Sequence, residues 1–152
     1  MRVVLQRVAS ASVSIVAEHG EVSDFEPQRI EAGLMLLVGV SDEDDDDAVT
    51  WMAHKISKLR IFEDEDMKMN RSIEDVGGEI LSISQFTLYG DANKGNRPSF
   101  VAAGRPEHAE RIWNQLNQAL RSQGIAVRTG RFGAHMKVSL VNDGPVTLIL
   151  ER

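Results

Sequence analysis

The sequence predicts an α+β domain: a curved, largely antiparallel β-sheet or barrel with two helices packed against it. Three observations lead there. Strand-like runs open the chain, recur in its middle and close it, at 2–16, 34–40, 79–88 and 125–150. Two longer stretches, around 48–59 and 109–120, repeat apolar residues at helical spacing instead. No internal repeat, linker or shift of composition divides the 152 residues, so one domain over 1–152 with a substantial core is expected.

Each element has its own signal. Residues 2–16 read as a strand with Val3, Leu5, Val8, Val13 and Ile15 as core side chains, and the glycine of "EHGE" at 18–21 marks a hairpin turn. "LMLLVGV" at 34–40 is apolar throughout, as in a strand covered on both faces. Six consecutive acids follow at 42–47. Hard cations favour carboxylates, but the ordered glycine and spacing of a calcium loop are missing. The run fits a helix start, with Ser41 or Asp42 as N-cap and the acids complementing the helix dipole. Ala48, Met52, Ile56 and Leu59 then form the buried stripe.

"EDEDMKMNRSIEDVGG" at 63–78 reads as a polar loop, and "EILSISQFTL" at 79–88 as the next strand. Glycines and prolines make 89–106 mostly irregular. The second helix is marked at both ends, by Pro106 at its first position and Gly124 at its close. Its buried stripe is Ala109, Ile112, Trp113, Leu116 and Leu120, which makes Trp113 a core residue. "IAVRTG", "AHMKVSLVN" and "VTLIL" read as strands, the last two separated by a turn at Asp143-Gly144-Pro145.

Composition narrows the chemistry. With no cysteine, disulfides, thiolate metal sites and cysteine nucleophiles are excluded. The opening "MRVVLQRVASASVSI" alternates apolar with polar residues and lacks the apolar block of a signal peptide. No apolar run approaches the roughly 20 residues that cross a bilayer, so a cytoplasmic location without a membrane partner is expected. The net charge of -6 is unevenly spread. Residues 94–137 carry eight Lys or Arg against two Glu, whereas 1–93 carry eight against 19 acids. A basic segment on an acidic chain suits local phosphate contacts without general affinity for RNA or DNA. It suits a solvated helix face equally.

The familiar catalytic signatures HExxH, GxGxxG, GxSxG and the P-loop are absent. His19, His54, His108 and His135 fall in a turn, two helices and a strand edge, and each reads as a surface or structural residue. A hydroxyl–imidazole nucleophile therefore has no evident base. Two segments remain odd. In "SQFTLYGD" at 84–91, Gln85 and Thr87 continue the face that Leu81 and Ile83 give to the core. Free N–H groups at a strand end, with Ser84, Gln85 and Thr87 beside them, make an oxyanion site. A bulge that satisfies buried backbone explains them equally well. In "VNDGPVT" at 141–147, Gly144-Pro145 is either a plain turn or a rigid one that presents its carbonyls to a ligand ammonium.

These motifs together carry a resemblance. "SQFTL" at 84–88, "KGNRPSF" at 94–100, "FGAHM" at 132–136 and "NDGPVT" at 142–147, after the opening "MRVVLQRV", closely resemble the D-aminoacyl-tRNA deacylase (D-tyrosyl-tRNA deacylase) family. The likeness runs from Met1 nearly to the C-terminus, and only "EVSDFEPQRIEAG" at 21–33 looks longer than the usual hairpin. It implies the fold of that family and a hydrolase that frees D-amino acids from tRNA, with no cofactor or metal. It also implies a homodimer in which Gly144 and Pro145, joined by a cis bond and held by Arg7, enter the partner's pocket and grip the substrate's amino group. Phe132 and Met136 would shape the pocket for the terminal adenosine. The intruding carbonyls would exclude an L side chain by collision and let glycine through. N–H groups around Gln85 and Phe86, with Ser84 assisting, would stabilise the oxyanion, while the ribose 2′-hydroxyl activates water. Gln85 and Thr87 would face inward because the ester end replaces core there. Lys94, Arg97, Arg128, Arg131 and Lys137 are the expected tRNA contacts. Three alternatives stay open: Thr87 as nucleophile, a non-catalytic RNA-binding module, and the animal-type deacylase with a trans bond that tolerates small L-amino acids.

Overall fold

The computed structural model describes residues 1–16 and 24–152, so the turn expected at 18–21, with His19, lies outside the described residues. Strand β1 (Arg2–Ile15) is the axis of the sheet. Along one edge it pairs antiparallel with β2 (Gln28–Ile30) and β3 (Gly33–Gly39), and along the other with β8 (Met136–Glu151). The 21–33 segment thus contributes an unforeseen short strand at its end. From β3 the sheet continues in parallel through β6 (Glu79–Ser84) to β7 (Val127–Thr129). The α+β expectation holds, with a curved sheet that is mixed.

A bulge lets β1 serve two cores. Val8 faces Asn142 and Ser10 faces Val141, so Ala9 is an extra residue that reverses which face the odd positions take. Val3 and Leu5 enter the core beneath the helices, whereas Ala11 and Val13 enter a second cluster with Ile30, Met35, Leu81 and Ile83. Strand β3 supplies both, through Leu34, Leu36 and Val38 on one face and Met35 on the other, as its unbroken apolar run predicts.

Helix α1 (Asp46–Lys58) starts later than the sequence implies. Its N-cap is Asp45, whose carboxylate accepts from Ala48 N–H. Ser41 and Asp42 are drawn elsewhere. Asp44 accepts from Ser41 N–H at 2.7 Å, and Asp42 accepts from Arg105 N–H at 2.8 Å. That backbone donor, with the Arg105 charge behind it, holds the Asp42 carboxyl below the usual carboxylate range. The acidic run thus caps one helix and ties it to the approach of the next. The stretch at 63–78 is also more ordered than a loop: β4 (Phe62–Glu63) and β5 (Met69–Arg71) form a hairpin, and a one-turn helix α2 (Ile73–Val76) is closed by a Ser72/Asp75 capping box. Short polar elements of this kind leave no apolar period to read.

Helix α3 (Pro106–Ser122) matches its prediction, with Pro106 at the first position and the five stripe residues buried. Trp113 is core, and its Nε1–H donates to Ser82 Oγ at 3.0 Å inside the protein. Ser82→Ala would leave that indole N–H unsatisfied, so unfolding free energy is expected to fall by about 1–3 kcal/mol. Urea denaturation checks this, and an unchanged midpoint would refute it. No helix among the described residues is long and apolar enough to cross a membrane.

Candidate active site

The site begins where β6 stops. Ser84 is the last residue of the strand, and Gln85 N–H donates to Val38 O at 2.8 Å as the final bond of the ladder. The chain then turns into a 3-10 helix over Phe86–Tyr89. The strand expected to run to 88 therefore ends four residues early, and Gln85 and Thr87 do not continue the core face. Gln85 is half-buried and Thr87 exposed. The physical reason is that β3, the partner strand, ends at Gly39 and offers no further ladder.

This turn has a chemical consequence. The first N–H groups of any helical turn lack a partner within it, and no backbone acceptor among the described residues takes the N–H of Phe86 or Thr87. The Gln85 N–H, by contrast, is committed to Val38, which moves the candidate oxyanion donors to Phe86 and Thr87. The Thr87 hydroxyl is paired with the Gln85 side-chain amide. An amide in either orientation is no base, so this partner cannot take the hydroxyl proton.

Ser84, Gln85 and Phe86 form one wall of a cleft of about 730 Å³. Val38, Val40 and Ile83, the segment 132–136, and Phe100, Val101 and residues 103–106 line it with them, whereas Thr87 does not. Phe132 and Met136 both line it. Phe132 is backed by the Trp113 ring at 6.1 Å between centroids, so the core residue of α3 supports the pocket. His135 also lines the cleft, contrary to its reading as a bystander; His54 does not. Val38, Val40 and Arg105 were not foreseen as lining residues, since nothing in a buried strand or a helix approach marks them as such.

Gly144 and Pro145 lie elsewhere. The expected turn between two strands is a loop bulging from one continuous strand, because β8 pairs with β1 on both sides of it. Gln6 faces Thr147 and Val8 faces Asn142, so Asp143–Val146 stand out of the ladder. The Gly144–Pro145 peptide is cis. Arg7, 5% exposed, secures the base of the loop: its Nε donates to Asp143 O at 3.1 Å and its Nη1 to Ile61 O at 2.8 Å. The carboxylates of Glu63 and Asp143 sit 3.5 Å from its guanidinium. Asn142 completes the frame by accepting from Val146 N–H and donating to Thr147 Oγ1, both at 2.9 Å. The tip, Gly144 and Pro145, is exposed and lines no part of this chain's own cleft.

The five expected phosphate contacts separate into two groups. Arg128 lies 3.7 Å from Glu79, and Arg131 pairs with Asp24 at 2.7 Å and covers the Phe25 ring. The Arg131 hydrogen bond holds the Asp24 carboxyl below its ordinary range. Lys94, Arg97 and Lys137 are exposed and make no ion pair among the described residues. Among the described residues no group of His, Asp or Glu is arranged to hold a metal ion.

Residues 4–151 match the family model described as D-Tyr-tRNA(Tyr) deacylase. A D-aminoacyl-tRNA deacylase of Bifidobacterium longum subsp. infantis is 62% identical over 152 residues, covering 99% of this chain and 94% of the relative. One from Exiguobacterium sp. is 54% identical over 152 residues, covering 100% and 99%. Among solved structures, one titled "c-Myc DNA Unwinding Element Binding Protein" superposes with a TM-score of 0.87 at 39% identity, over 100% of this chain and 99% of that one. Another, titled as a probable eukaryotic D-amino acid tRNA deacylase, shares the fold with a TM-score of 0.78 at 19% identity, over 98% and 97%.

Proposed function

Since this chain belongs to the D-Tyr-tRNA(Tyr) deacylase family and is a hydrolase of the D-aminoacyl-tRNA ester bond, we propose how its residues perform and restrict that reaction. Residues 1–152 act as one catalytic domain in the cytoplasm. The aminoacyl-adenosine end of the tRNA occupies the cleft, with the base between Phe132 and Met136 and the ester carbonyl at the 86–89 turn. The ribose 2′-hydroxyl, next to the 3′-ester, activates the attacking water. The carbonyl oxygen becomes the oxyanion and accepts from the N–H groups of Phe86 and Thr87, with the Ser84 hydroxyl beside them. Collapse of the adduct breaks the bond to the 3′-oxygen, which leaves with a proton as the free tRNA terminus, and the amino acid departs as its carboxylate.

The observation that carries this reading is the pair of free N–H groups beside a hydroxyl whose partner is an amide. Such a pair can stabilise charge, and the amide cannot activate the Thr87 hydroxyl as a nucleophile. The exposed loop tip supports a second element. That Gly144 and Pro145 are exposed and outside their own cleft, on a loop whose base Arg7 holds, supports a role in another copy's cleft, with the enzyme working as a homodimer. There their carbonyls hold the substrate ammonium and occupy the space an L side chain would need. Glycine has no side chain to exclude, and glycyl-tRNA is hydrolysed as well. Lys94 and Arg97 contact tRNA phosphates, which position the substrate without reading its chirality.

Deacylation of matched D-, L- and glycyl-tRNAs tests this. The D- and glycyl esters are expected to be cleaved and the L ester spared. Lys94→Glu should raise KM for both cleaved substrates alike while the L ester stays intact. Cleavage of the L ester at the D rate, or full activity from a monomer by light scattering, would sink the shared-site reading.

A further inference from the structure

We propose that Phe100 is a positioning residue for deacylation, its ring holding the 86–90 turn so that the free N–H groups of Phe86 and Thr87 stay aimed at the ester. The inference rests on the reading of that turn as the oxyanion site.

Phe100 touches the turn at both ends. Its ring meets the Phe86 ring edge-on, with centroids 5.1 Å apart and planes at 68°. Its far edge lies against Gly90, where a Cβ would come within 2.9 Å of Phe100 Cε1 and 3.0 Å of Thr87 O. Only a residue without a side chain admits the ring so closely. The Gly90 N–H donates in turn to Thr87 O at 2.9 Å, so the ring's contact with Gly90 is one bond from the donor pair.

The ring is carried by a frame separate from the turn. Asp91 and Ser99 exchange backbone hydrogen bonds of 2.7 and 2.8 Å, closing the intervening loop just before Phe100. Beyond it, Ala103 N–H donates to Phe100 O at 3.0 Å and Gly104 N–H to Val40 O at 2.8 Å. The frame is therefore tied to the chain just beyond β3, while the turn's own ties gather at its far end, where Arg2 covers the Tyr89 ring at 5.1 Å, and not at Phe86 and Thr87. Gln85 N–H binds Val38 O at its start, and Arg2 Nη1 donates to Leu88 O at 2.6 Å near its end. A 3-10 turn has poor internal hydrogen-bond geometry, so the aim of its leading N–H groups needs support from outside. Core packing does not explain the pair: Phe86 is 56% exposed and Phe100 36%. Oxyanion donors act only if correctly oriented when charge develops, so loosening them lowers kcat rather than substrate affinity.

Steady-state deacylation of D-aminoacyl-tRNA, with thermal unfolding alongside, separates the outcomes for Phe100→Ala, Phe100→Leu, Phe100→Tyr and Gly90→Ala. Phe100→Ala is expected to lower kcat about 10- to 100-fold and to change KM less than about threefold, the scale of a misaligned reacting group. Phe100→Tyr, which keeps the aromatic edge, should restore kcat. Gly90→Ala should reproduce the loss, because its Cβ displaces the ring and Thr87 O from the other side. Phe100→Leu keeps apolar bulk and replaces the alanine variant should that one not fold. A folded Phe100→Ala or Phe100→Leu with wild-type kcat overturns the proposal. So does a raised KM at unchanged kcat, which would make Phe100 a substrate contact. A wild type inert on D-aminoacyl-tRNA overturns the functional reading and the proposal with it, whereas an active wild type with unaffected variants overturns the proposal alone.

Discussion

A D-aminoacyl-tRNA ending in 2′-deoxyadenosine is expected to be hydrolysed at least about 10²-fold more slowly than its ribose counterpart, while Thr87→Ala keeps most of the wild-type rate. Loss of one oxyanion donor alone costs roughly 2.7–4 kcal/mol, or 10²–10³ in kcat, and loss of the group that activates water should be no milder. Thr87 is no substitute for it. The Thr87 hydroxyl is exposed and bonded to the Gln85 amide, and an amide cannot take its proton at neutral pH. Its N–H, which the alanine variant retains, carries the proposed contribution to catalysis. Single-turnover hydrolysis of the two substrates by wild type and Thr87→Ala decides the matter. A dead alanine variant together with a reactive 2′-deoxy substrate would make Thr87 the nucleophile and remove the RNA from the chemistry.

Gly144→Ala is expected to lower kcat/KM for D-aminoacyl-tRNA about 100-fold, the scale of a misplacement of about 1 Å at a reacting centre, and to leave the fold intact. Gly144 has a φ of 133°, which L side chains rarely adopt, and its Cβ would fall 2.6 Å from Val146 Cγ2 and 2.8 Å from Val146 N. It would also come within 3.4 Å of Arg7 Nη2. Val146 is buried and Arg7 is locked to Asp143 and Ile61, so the exposed tip is what must move. Because the loop stands outside the ladder, β1 and β8 remain paired on either side. The displaced carbonyls should also exclude the L ester less well, raising the ratio of L to D hydrolysis. Rates on both enantiomers, with far-ultraviolet circular dichroism for the fold, check the expectation. Unchanged D and L rates in a folded variant would show that the tip takes no part in selection.

Legibility varied with the strength of the local signal. Helix α3 was readable to the residue at its start because proline at the first helical position and a 3.6-residue apolar period act within one element. Strand β3 was readable as doubly covered because both faces are apolar. The N-cap of α1 was misplaced among equivalent acids, since only the contact with Arg105, 63 residues away, withdraws Asp42 from that role. The β4–β5 hairpin and α2 were missed because polar elements of two to four residues carry no apolar period. In the site, Ser84, Gln85, Phe86, Phe132 and Met136 do meet in one cleft. They were found through four motifs in order, whereas the strand register that turned Gln85 and Thr87 toward the core does not hold, and Thr87 is exposed and outside the cleft lining.

The class of fold, the burial of the helix stripes, the exclusion of cysteine chemistry and the segments that make the site are written in the chain alone. These follow from residue types and short-range periods, which act over a turn or a strand and need no knowledge of the rest of the chain. Where β6 ends, which backbone N–H groups stay free, and the bulge of Asp143–Val146 from a continuous strand are settled by tertiary contacts. Each depends on what a partner strand offers at that point. Beyond Gly39 there is no ladder for Gln85 to extend, so the chain turns and leaves Phe86 and Thr87 unpaired. At the other segment, β1 supplies one residue between Gln6 and Val8 against four on β8, so the surplus must leave the sheet. Hydrogen-bond partners distant in sequence set both outcomes, and no local pattern of side chains encodes them.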